Sequence, residues 1–129
     1  MIKSLDIGSI QEVAALTTTQ GHEPFEFTGK LLAYTSKRTS GSMGDASPIA
    51  ALYLFENVTP RRKASNRYVL AFQKCEADGM IITASYRTYT RLEKMAEKSP
   101  VDKMHRRICE LVGVRDHMGD MKPTEVGGQ

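Results

Sequence analysis

The sequence predicts an α+β domain: a four-stranded antiparallel meander sheet with a short N-terminal helix and two C-terminal helices. Three observations lead there. Residues 25–36, 67–75 and 80–87 alternate apolar and polar side chains with the period of two that marks a half-buried strand. Asp78-Gly79 separates the last two runs, and Asp-Gly between strand-like segments is a strong tight-turn signal. Beyond residue 90 the apolar spacing changes to three and four, which is helical. Strands followed by helices give segregated elements, with helices on one face of an open sheet.

The elements follow in order. Ser9-Ile10-Gln11-Glu12 has the form of a capping box, and Ile10, Val13, Ala14 and Leu16 follow as a short apolar stripe, so a helix of about two turns is expected before Gly21. The run Thr17 to Thr19 weakens it with stiff β-branched side chains. In residues 25–36, Phe25, Phe27, Leu31 and Ala33 face one way, and Glu26, Thr28, Lys30 and Tyr34 the other. The Gly- and Ser-rich stretch 39–48 reads as a mobile loop. Residues 49–55 are almost wholly apolar, as expected of a central strand covered on both faces. A turn over 57–66 leads to the third strand, with Tyr68, Leu70 and Phe72 on one side. The fourth directs Met80, Ile82, Ala84 and Tyr86 inward. Thr90-Arg91-Leu92-Glu93 is a second capping box, Ser99-Pro100 starts the last helix, and Gly113 ends it. Residues 1–114 are expected to form one domain and residues 115–129 a flexible tail, since no apolar stripe survives there.

Composition is that of an ordinary globular chain, and 129 residues suffice for a core without staples. No apolar run approaches the ~20 residues of a membrane span, and the N-terminal residues lack the apolar block of a secretory signal. Two cysteines, Cys75 and Cys109, do not make a disulfide framework. A cytoplasmic location without membrane partners is the resulting expectation.

Charge is distributed unevenly. Residues 37–107 hold fourteen Lys/Arg against seven acids, while each flank is weakly acidic, so the net +3 conceals a basic middle. Arg61, Arg62, Lys63 and Arg67 crowd one turn. Arg87 closes the fourth strand. Arg91, Lys94 and Lys98 share one face of the first C-terminal helix. Lys103, Arg106 and Arg107 do the same on the second, with Lys37 and Arg38 expected nearby. Cations spread over several elements are what phosphate-backbone binding requires, because each neutralised phosphate releases counterions. The opposing reading is a solvated surface, in which Glu93 and Glu97 interleave with the helical bases.

Other chemistries find less support. Outward aromatics for base stacking reduce to Tyr34, with Tyr86 and Tyr89 beside Arg87 as further candidates. Cys75, His105, Cys109 and His117 match no zinc-site spacing, and no metal or other cofactor is expected. His22, Glu23, Glu26 and Arg87 contain the acid, base and phosphate clamp of a metal-independent ribonuclease, though no spacing forces them together. No phosphate-binding glycine loop, nucleophile elbow or HExxH is present.

The functional expectation is a non-enzymatic binding module that contacts a polyanion, first of all nucleic acid through its phosphates. Its contact residues are Arg61, Arg62, Lys63, Arg67, Arg87, Arg91, Lys94, Lys103, Arg106 and Arg107. The alternative is a small adaptor or inhibitor that docks on an acidic protein surface through an edge strand at 25–36 or the loop at 40–48. Ribonuclease activity is the third reading. Self-association as a homodimer, through an uncovered sheet edge or an apolar helix face, also fits.

Overall fold

The computed structural model describes residues 4–18, 23–38, 48–97 and 103–113. Five strands, not four, form one antiparallel sheet in chain order: β1 (Ile10–Ala15), β2 (Phe25–Arg38), β3 (Ile49–Asn57), β4 (Tyr68–Cys75) and β5 (Ile81–Tyr89). A short 3-10 turn, Ala64–Asn66, lies between β3 and β4, and helices α1 (Leu92–Glu97) and α2 (Lys103–Leu111) follow the sheet. Residues 39–47 of the predicted 39–48 loop, residues 98–102, residue 114 and the predicted tail 115–129 lie outside the described residues. No helix among the described residues is long and apolar enough to cross a membrane.

The expected N-terminal helix is strand β1. Gln11, Val13 and Ala15 are buried while Ile10 and Glu12 are exposed, so the burial period is two. The Ser9 hydroxyl does not cap a helix but accepts a hydrogen bond from Gln11 Nε2 at 3.1 Å. Gln11 also donates to the Ser4 carbonyl at 2.9 Å, and its Oε1 accepts from Ser4 N, which satisfies a buried polar side chain. Pairing of Ile10–Ala15 with Phe25–Lys30 then outweighs a weak local helix signal.

Strand β2 carries a bulge between Leu31 and Ala33. The extra residue exchanges the two faces along the second half of the strand. Ala33 therefore joins the helix-facing core instead of continuing the row of Phe27 and Leu31. Tyr34, expected outward with Glu26 and Lys30, stacks on Tyr53 at 5.2 Å on the opposite face. Residues 28–31 are bonded on both sides, so this part of β2 is no edge strand.

The sheet is curled rather than open. Just past β1, Thr18 N donates to the Ala84 carbonyl at 2.9 Å and Ala84 N donates to Thr18 Oγ1 at 3.2 Å, bringing the first and last strands together. Inside the curl, Val13, Ala15, Phe27, Leu31, Phe55, Val69 and Ala71 form one core, flanked by Phe25, Tyr53 and Tyr86. Outside it, Ala50, Leu52, Leu54, Leu70 and Tyr89 pack beneath Met95, Met104, Ile108 and Cys109 of the helices. The apolar 49–55 run is thus covered on both faces, as its composition implies. Both predicted punctuation glycines hold the left-handed φ that favours their type: Gly79 at +92° in the β4–β5 turn and Gly113 at +76° after α2.

Gly29 is a third special position, for space and not for torsion. A Cβ there would lie 2.6 Å from Phe27 Cε2 and 3.1 Å from Phe55 Cδ1, two rings already packed edge to face. Gly29→Ala is expected to destabilise the fold by about 1–3 kcal/mol through overpacking, read as a lower urea midpoint. An unchanged midpoint would show that the two rings have room to move apart.

Candidate functional site

The turn after β3 is built from a buried asparagine outward. Asn57 is 3% exposed, and its backbone N donates to the Arg67 carbonyl at 2.8 Å. Asn57 Oδ1 accepts from Thr59 N at 3.0 Å, and Thr59 Oγ1 accepts from Thr28 N at 2.8 Å, which ties the turn to β2. Arg62 folds back so that its Nε donates to the Asn57 carbonyl at 2.8 Å. One guanidinium therefore anchors the turn, while Arg61 and Lys63 stand exposed on it. A basic loop fixed by its own backbone presents its charges without ordering them at the moment of binding.

Arg61 has φ of +60°, the left-handed region where a residue with a Cβ is strained by about 1–2 kcal/mol. Glycine at this position relieves the strain, less the entropy it adds to the unfolded chain. Arg61→Gly is expected to leave thermal stability equal or to raise it by about 0.5–1 kcal/mol while removing one surface cation. A melting point several degrees lower would show that the arginine side chain supports the turn.

Other basic residues gather at the same end of the sheet. Glu56, Tyr68 and Tyr89 lie opposite one another across β3, β4 and β5, so the basic turn, the start of β4 and the end of β5 are neighbours. The Ala64–Asn66 turn packs against β5. Arg67 lies over the Tyr68 ring at 5.2 Å, a cation–π contact. A groove of about 510 Å³ is lined by Ser65, Arg87, Thr88, Thr90 and Lys94 together with Tyr86 and Tyr89. Arg91 is exposed immediately before α1. Lys30, opposite Glu56, belongs to this end as well; sequence reading missed it because it stands alone in an acidic flank.

Arg87 is the junction. Burial of the neighbouring Tyr89 hydroxyl raises its pKa while the Arg87 guanidinium opposes the rise. Arg87 also borders a cavity of about 150 Å³ together with Leu52, Leu70, Phe72, Ser85, Met104 and His105. No sequence signal marks this cavity, because three strands and a helix supply its walls.

The remaining basic residues are placed otherwise. Lys103, Arg106 and Arg107 are exposed on α2, which rests chiefly on β2 and β3, and Arg107 pairs with Glu110 at 3.2 Å. Lys37 and Arg38 end β2 opposite Ala50 and Ile49, at the far end of the sheet from the basic turn. The chain matches no known protein family, curated protein or solved structure. Its chemistry rests on its own residues.

Aromatic surface is scarce: Tyr86 stacks on Phe25 at 5.6 Å and Tyr89 is buried. Burial also raises the Tyr53 pKa, with Tyr34 and Cys75 adding to the rise. Of the ribonuclease set, His22 lies outside the described residues, and Glu23 and Glu26 are exposed. Among the described residues no three His, Cys, Asp or Glu converge as metal ligands; His105 Nδ1 and Cys109 Sγ are 4.0 Å apart within the core.

Proposed function

We propose that this protein is a non-enzymatic binding module that holds nucleic acid by its phosphates. The observation that carries the reading is the anchored turn Arg61–Arg62–Lys63 beside a groove bordered by Arg87 and Lys94. Arg67 and Arg91 extend the same positive end, and Lys103, Arg106 and Arg107 on α2 form a second group. Phosphate contacts of this kind position a strand without reading its bases, so affinity is general rather than sequence-specific.

The test is a salt titration of binding to unrelated DNA and RNA, followed by fluorescence anisotropy. With about five phosphate contacts, affinity is expected to fall roughly 500-fold between ~50 and ~200 mM salt. Affinity that is flat over this range would refute the reading.

One observation favours the alternative of docking on an acidic protein surface. Met80, Ile81 and Ile82 are exposed at the start of β5, beside Lys74 of β4. That reading predicts negligible nucleic-acid affinity and loss of a discrete protein partner when Ile82 is replaced by Glu. Self-association of the same apolar tip would appear as a homodimer in sedimentation.

A further inference from the structure

The geometry points to a second role for Arg87, independent of nucleic-acid binding: it holds the charged group of a small aromatic anion whose single ring enters the cavity beneath α2. The cavity exists because α2 rests on β2 and β3 and leaves the outer face of β4 and β5 incompletely covered, so that Phe72 there is only half-buried. Its walls are apolar, from Leu52, Leu70, Phe72 and Met104. Its volume of about 150 Å³ is comparable to that of an apolar cavity which takes up one benzene ring.

Polar groups are few and placed apart from those walls. Ser85 and Arg87 are exposed and bring a hydroxyl and a guanidinium to the mouth, while His105 brings an imidazole from α2. A pocket that is mostly apolar with a few fixed polar groups orients a ligand by its charged end. Arg87 also borders the polar groove with Thr88, Thr90 and Lys94, so a ring in the cavity leaves its anionic substituent on the basic side. Guanidinium matches carboxylate and phosphate alike through paired N–H donors. The ligand chemistry is therefore a single aromatic ring bearing one anionic group, supplied either by a free aromatic acid or by a pyrimidine nucleotide.

The experiment is an NMR titration of the full chain with three probes: benzoate, thymidine 5′-monophosphate and inorganic phosphate. Saturable shifts of the Met104 methyl and the Ser85 and Arg87 amides are expected with at least one ring-bearing probe, and no Met104 shift with inorganic phosphate. Shifts with benzoate alone assign a free acid, and shifts with the nucleotide alone assign that source. Shifts with both support the shared chemistry. Ser85→Phe, which fills the cavity from β5, and Arg87→Gln are each expected to weaken the response at least about tenfold. Should Ser85→Phe fail to fold, as judged by circular dichroism, Ser85→Leu takes its place. The inference is overturned if neither ring probe moves Met104 at about 10 mM, well above the ~1 mM reached by ligands of this size. It is equally overturned if a folded, filled variant binds as the native chain does.

Discussion

Replacing Arg61, Arg62 and Lys63 together by Glu is expected to lower nucleic-acid affinity more than about 100-fold near 50 mM salt, and to reduce the salt slope by about three contacts. The size of the effect comes from reversal: three attractions become three repulsions at the end of the sheet where Arg67 and Arg87 also lie. Because Arg62 anchors the turn through Asn57, the triple change has a structural component as well. The pair Arg61→Glu and Lys63→Glu separates the two, since both side chains are exposed and the anchor stays in place. Most of the loss should survive in the pair. Reversing Lys37 and Lys74, toward the other end of the sheet, should cost far less. Should that control abolish binding while the turn variants bind normally, the contact surface would lie at the opposite end.

What could be read from the sequence divides along physical lines. Strands β3 and β4 declared themselves, because continuous apolar character and clean alternation over eight or nine residues outweigh local signals. Asp78-Gly79 was equally plain, since its chemistry acts within the turn itself. Strand β1 was misread because a capping box is a local pattern, and Ser9 and Gln11 found partners that a short fragment does not reveal. The bulge at Leu32 left no mark, since one inserted apolar residue looks the same in either register. It nonetheless placed Ala33 in the helix-facing core and Tyr34 on the opposite face, against Tyr53. At the site, the basic turn was visible as a cluster, whereas the role of Arg62 as its anchor depends on a carbonyl five residues earlier. Arg87 was one cation among ten until β5 and α2 made it the border between an apolar cavity and a polar groove.

The largest expected loss of stability comes from Phe55→Ala. Phe55 is fully buried, sits between Leu31 and Val69 in the paired strands, and meets the Phe27 ring edge to face at 5.6 Å. Gly29 lacks the side chain that could move into the space, so the cavity left behind collapses poorly. Truncating a ring in such a site costs about 3–5 kcal/mol, against the ~5–15 kcal/mol that holds a whole domain together. A large drop in urea midpoint with unchanged slope is the expected record, whereas Ile82→Ala, at an exposed position on β5, should change stability by less than about 0.5 kcal/mol. The contrast matters for the site because Asn57, the root of the basic turn, lies two residues beyond Phe55 on the same strand. If Phe55→Ala were to cost under 1 kcal/mol, the inner core would be too loose to hold that turn in one geometry. The basic residues would then act as a flexible charged loop rather than a preset surface.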